Sequence, residues 1–270
     1  MFGKLMKYEW KDCMRVFLPL WGAMLALAAM NGVTIGVDLK IRNGWLEFFV
    51  HILPVLLLFA LSFGMFVVAF VLIIRRFYNG LLGEGGYLAF SLPVTVGEHI
   101  AAKLLTALIM NIGCVLAGLL SSVLLLSIRG YLPEMKELLQ AISRELSSYR
   151  HTGLVITEGI LLMILLCTYS TLRLYAGMAI GHLFSNHRGL WSIAAVILMG
   201  WIFTYAAGRT ASLCLPYLQN HHPDFLFTTL TQFLDRLPLY LGFSIVLALL
   251  GNALLWGITH GILRKKLNIL

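Results

Sequence analysis

The sequence predicts an all-α integral membrane protein with six transmembrane helices, and three observations carry that prediction. Of the 270 residues, 60% are hydrophobic and only 12% are charged, a composition outside the range of soluble domains. Six long apolar runs (16–37, 48–74, 104–128, 153–172, 189–208 and 237–263) each hold the roughly 20 residues that a helix needs to cross a hydrocarbon core. Between them there is nowhere to put a globular domain, so residues 1–270 read as one transmembrane domain whose function sits in spans and loops.

An even number of crossings puts both termini on one side. Counted over alternating connections, that side carries Lys4, Lys7, Lys11, Arg15, Arg75, Arg76, Lys103, Arg188, Arg264, Lys265 and Lys266. The other carries Lys40, Arg42, Arg129, Lys136, Arg144, Arg150, Arg209 and Arg236. Eleven basic residues against eight place the termini in the cytoplasm, and Arg173, at the inner end of the fourth span, adds one more.

Ahead of the first span, helical spacing gathers Lys4, Lys7, Lys11 and Arg15 on one stripe and Phe2, Leu5, Met6, Trp10, Cys13 and Phe17 on the opposite one. This predicts an amphipathic helix lying in the membrane interface before the chain turns into the first span. Glu9 falls on the apolar stripe and fits it poorly. No small-residue cleavage site follows a short apolar run, so the first span is expected to stay as an anchor.

Residues 75–103, between the second and third spans, are expected in the cytoplasm. Gly80, Gly83, Gly85 and Gly86 permit tight reversals after Arg75 and Arg76. Thr95 and Glu98 have capping-box spacing, so the third helix begins at Thr95, well before its membrane run, with Pro93 as the break upstream. Between these breaks Tyr87, Leu88, Phe90 and Leu92 form a short apolar knob held outside the bilayer. Such a knob needs a groove, in lipid headgroups or in another protein.

Beyond the third span, Met135, Leu138, Leu139, Ile142, Leu146 and Tyr149 recur at helical spacing after Pro133, predicting an outer amphipathic helix over 133–150. The fourth helix is expected to overhang its membrane run, reaching about residue 182. It holds Glu158, the single acid inside a span, close enough to the outer end to snorkel. Its overhang carries Gly177 and Gly181, and the sixth span carries Gly257 and Gly261. Both are GxxxG spacings best read as helix packing. The outer loop before the sixth span contains His221, His222 and Asp224, whose spacing does not match a zinc site.

Asn31, Asn111 and Asn252 are neutral amides within spans; they suit a substrate pathway or interhelical hydrogen bonds. Cys13, Cys114, Cys167 and Cys214 are scattered, with no pairing or metal spacing. Motifs of metalloproteases, serine hydrolases and phosphate-binding loops are missing, which argues against an enzyme and against nucleotide binding by this chain.

The stretch Glu84-Gly85-Gly86-Tyr87-Leu88, followed by Leu92-Pro93-Val94 and Lys103, resembles the first cytoplasmic loop of bacterial ABC-transporter permeases of the type-2, exporter class. The six-span layout, the N-terminal amphipathic segment and the basic tail match as well. The resemblance implies that this loop carries a coupling helix between helices 2 and 3, docked on a separate ATPase subunit. Glu84, Gly85 and Gly86 would set the angle of the knob, with Tyr87, Leu88 and Phe90 as the contacts. It also implies a dimer of permease subunits, identical or different, in the plasma membrane of a bacterium. The partner ATPase would use ATP and magnesium, this chain would bind no cofactor, and no nucleic acid would be involved. An integral-membrane enzyme and a noncatalytic membrane scaffold are the alternatives.

Overall fold

The computed structural model describes residues 2–36, 45, 49, 52–83, 86, 94–128, 130–148, 152–184, 186–221 and 230–267, and the side chains of all of these but 34–36, 145–148, 210–221, 230–236 and 266–267. Among the described residues the chain is all-α, without strands. Its helices are α1 (Phe2–Gly36), α2 (Leu53–Phe77), α3 (Val96–Ile128), α4 (Leu132–Ser148), α5 (Thr152–Gly181), α6 (Arg188–His221) and α7 (Leu230–Leu267). A π-helical turn, Tyr78–Leu82, extends α2. All but α4 are long and apolar enough to cross a membrane. Their uncovered apolar faces, with Phe59, Phe63 and Phe66 on α2 each more than 70% exposed, suit contact with lipid rather than water.

The chain divides into two compact units, 1–76 with 105–145 and 77–104 with 146–270. In the first unit, α1 packs between α2 and α3. Cys13 and Phe17, one turn apart on α1, are buried with Ala69 of α2 and Met110 of α3, and Trp10, Met14, Trp21, Leu72 and Cys114 pack around them. Gly113, Gly118 and Gly32 mark the α1–α3 seam: a Cβ on each would meet Trp21, Met24 and Ile128 respectively. The near-constant offset between partners means that α1 and α3 run parallel. Arg76 of α2 reaches Cys13, while the Asn31 amide donates to the carbonyl of Pro54 at 2.9 Å, so α2 runs antiparallel to α1.

Two features of α1 depart from the sequence reading. The interfacial segment and the first span form one unbroken helix of 35 residues, with Pro19 inside it and no turn after Arg15. At about 1.5 Å per residue this is roughly 52 Å, longer than a bilayer core. The apolar stripe is likewise protein-facing around Cys13 and Phe17, because the i, i+4 register that buries Phe17 continues straight back to Cys13. Glu9, the misfit of that stripe, pairs with Arg76 at 3.3 Å, and Asp12 pairs with the same guanidinium at 3.3 Å.

In the second unit α5 is central and packs on both α6 and α7, which meet only slightly. Gly177 and Gly181 of α5 press against the backbone of α6: a Cβ on Gly181 would lie 2.7 Å from the carbonyl oxygen of Arg188 and 2.7 Å from the amide nitrogen of Ser192. The GxxxG spacing there serves close helix packing, as expected. Gly257 and Gly261 have nothing within 4 Å of such a Cβ. Tyr169 donates its hydroxyl proton to the carbonyl of Met199 at 3.3 Å. Gly200 of α6 accommodates Arg173. These pairs are antiparallel. Across the α5–α7 seam, Gly242 faces Glu158 and Asn252 bonds Leu165, so α7 runs parallel to α5. α6 also continues to His221, 13 residues past the predicted end of its span at 208.

Candidate functional site

The segment joining α2 to α3 is the candidate site, and its two ends are well defined within the second unit. At the α2 end, Phe77 is fully buried and stacks on the buried Tyr175 of α5, ring centroids 4.0 Å apart and planes 11° apart. Tyr78 meets His182, just past the end of α5, edge to face at 5.3 Å. Two consecutive aromatic residues therefore fasten the start of the segment to the end of α5.

The π-helical turn then redirects the chain. Leu81 is buried, and the amide of Gly83 donates to the carbonyl of Tyr78 at 2.7 Å, closing the turn. The ammonium of Lys103 lies against Gly80, and Lys103 itself is buried. π-Helical turns are rare and concentrate at functional sites.

Gly86 is the one predicted coupling residue among those described. Its amide donates to the carbonyl of Gly83 at 2.9 Å. A Cβ there would stand 2.7 Å from the carbonyl oxygen of Leu81, so a side chain at this position displaces backbone. Glu84, Gly85, Tyr87, Leu88 and Phe90 lie outside the described residues.

At the α3 end the capping box forms as its spacing predicts. The amide of Glu98 donates to Thr95 Oγ1 at 3.3 Å, and the amide of Thr95 donates to Glu98 Oε2 at 2.8 Å. Behind the cap, His99, Ile100 and Ala102 are buried, and Gly97 faces Trp256 and His260 of α7, its hypothetical Cβ 4.0 Å from each. The segment is thus held at both ends by the second unit, one end on α5 and the other on α7.

The three asparagines are divided between the units. Asn31 is fully buried at the α1–α2 seam and donates to Leu27 and Pro54 carbonyls. Asn111 is half-buried on α3. The α1–α3 register places Asn111 about 13 residues along α1 from Asn31, roughly 20 Å apart in depth. Asn252 of α7 donates to Leu165 at 3.0 Å and to Ala248 at 2.8 Å, leaving its Oδ1 buried without a partner.

Three polar groups that the sequence reading did not assign to a site stand out in the second unit. At Glu158, Oε2 is buried and has no hydrogen-bond partner among the described residues, and Oε1 lies 3.8 Å from the Cβ position of Gly242. The hydroxyl of Tyr240 and the Nε of Arg173 are also buried without partners. The sequence signal for Glu158 was its solitude as an acid within a span; for Tyr240 there was none.

No family model matches the chain, and neither does any curated protein or solved structure. Its own architecture makes it an all-α, multi-pass membrane protein with six candidate spans.

Proposed function

We propose that this chain is the membrane-spanning subunit of an ATP-driven exporter of the type-2 ABC class in a bacterial plasma membrane, working as a dimer of permease subunits with separate ATPase subunits. The observation that carries the reading is the construction of the segment between α2 and α3. Its Glu-Gly-Gly motif contains a glycine that a carbonyl oxygen requires, its start is stacked on α5, and its end is capped where α3 meets α7. A loop anchored this firmly at both ends supports a force-bearing role better than a passive connection does.

In this reading the knob Tyr87, Leu88 and Phe90 docks on the ATPase, and Glu84, Gly85 and Gly86 set its angle. When ATP binding closes the partner, the segment moves, and its anchors pass that movement on. Phe77 delivers it to Tyr175 on α5, and Gly97 delivers it to Trp256 and His260 on α7. The second unit thereby shifts between inward-facing and outward-facing arrangements, the two states whose populations the nucleotide biases. The chain carries no phosphate-binding loop, consistent with nucleotide chemistry on the partner.

The test is co-purification with the neighbouring ATPase. Tyr87→Asp with Leu88→Asp places two charges in a buried apolar contact and should lower ATPase recovery by about tenfold or more, with the permease still monodisperse in detergent. Undiminished recovery contradicts the docking role.

A further inference from the structure

The α5–α7 seam holds a carboxylate that the chain itself does not satisfy. Glu158 is the single acid within a predicted span. Its Oε2 is buried with no hydrogen-bond partner, and Oε1 faces Gly242, whose missing side chain leaves room beside it. The same seam carries a second buried acceptor without a partner, Asn252 Oδ1. Asn252 bonds Leu165, seven residues further along α5, so the two acceptors are separated by roughly 10 Å of seam. At the height of Glu158, Tyr240 on α7 has a buried hydroxyl without a partner. Unsatisfied acceptors therefore recur on this pair of helices, and Ile245 and Ala248, between Gly242 and Asn252 on α7, are buried.

Among the described residues nothing donates to Oε2, and a buried carboxylate oxygen without a donor has lost its bond to water and gained none in return. A ligand that donates hydrogen bonds and carries positive charge satisfies it directly. A small hard metal ion calls for about six or more oxygens. An ammonium group has three donors and needs few acceptors, and its apolar remainder suits the seam.

We propose that Glu158 is the charge-recognition group of a site for an ammonium-bearing amphiphile, an alkylamine or an apolar segment with a lysine-type amine, held in the α5–α7 seam. Gly242 leaves Oε1 uncrowded on its α7 side. Insofar as the seam belongs to an exporter, the proposal rests on that reading and gives the cargo its chemical class; the binding itself needs no ATPase.

The experiment uses the full-length permease alone, in detergent or nanodiscs, with dansylcadaverine as a fluorescent primary amine and its N-acetylated form as a neutral control of similar size. Wild type should bind the amine saturably and the acetylated form about tenfold or more weakly, the size expected for one charge-assisted hydrogen bond. Glu158→Gln should weaken amine binding by a similar factor while melting, ligand-free, at the same temperature or higher, because Oε2 has no hydrogen bond among the described residues to lose. Gly242→Ala, whose methyl fits without a clash, should weaken binding to a smaller degree. Absence of saturable amine binding by wild type, equal binding by Glu158→Gln, or a drop in its melting temperature overturns the proposal. Undiminished ATPase recovery by the Tyr87→Asp, Leu88→Asp variant, with amine binding intact, would sink the docking reading and leave this site standing.

Discussion

The two units solve the same packing problem in different ways. In the unit built from α1, α2 and α3, bulky side chains interlock: Phe17, Cys13 and Met110 fill the centre, and Trp21 occupies the space that Gly113 leaves. Its charged group is compensated, with Arg76 facing both Glu9 and Asp12. In the unit built from α5, α6 and α7, two helices approach backbone to backbone through Gly177 and Gly181. Its seams keep Glu158, Asn252, Tyr240 and Arg173 with unsatisfied polar atoms. The first unit leaves a donor, Trp21 Nε1, buried without a hydrogen-bond partner, whereas in the second the open atoms include acceptors, Glu158 Oε2 and Asn252 Oδ1. A seam that leaves acceptors open invites a donating ligand, and this unit also holds the anchored segment 77–104.

The contrast predicts where substitutions hurt. The largest effect belongs to the tightest contact: Gly181→Val drives a side chain into the backbone of α6 at Arg188 and Ser192, and should cost about 3 kcal/mol, enough to abolish a monodisperse peak in size-exclusion chromatography. The matched control is Gly261→Val, also one end of a GxxxG pair but with open space around it, which should leave the peak unchanged. Equal damage from both would mean that the two glycine pairs do the same job. That outcome would erase the distinction drawn between them.

A smaller and more local effect is expected at the aromatic anchor. Tyr175→Leu keeps an apolar side chain but removes the ring on which Phe77 stacks, and should cost about 1 kcal/mol. Segment 77–104 should then be cut faster by protease, while the fragment pattern from α1 stays as in wild type. Unchanged cleavage of the segment would show that the stack does not hold it.

Much of this architecture was legible in the sequence because it is local. Span count follows from the length of charge-free runs, the α3 start from the Thr95–Glu98 spacing, and a close-packing face on α5, though not its partner, from Gly177 and Gly181. Relations between distant residues were not legible. Glu9 looked like a flaw in an interfacial stripe until Arg76, 67 positions away, supplied its counter-ion. With that pair and Phe17 in place, nothing requires the chain to turn after Arg15, and α1 runs on. Phe77 lies past Arg75 and Arg76, and Tyr175 past Arg173, on helix ends that periodicity alone could not pair. Glu158 was visible as an acid, but only the seam reveals that its Oε2 is covered and that no side chain among the described residues donates to it.

The account depends most on which side of the membrane the segment between α2 and α3 occupies. In a background with Cys13, Cys114, Cys167 and Cys214 replaced by serine, Thr95→Cys and Glu134→Cys can be treated with a membrane-impermeant maleimide in intact cells. The account predicts that position 134 is labelled at once and position 95 only after permeabilisation. Labelling of position 95 from outside intact cells would contradict it, since a cytoplasmic ATPase could then never reach the loop.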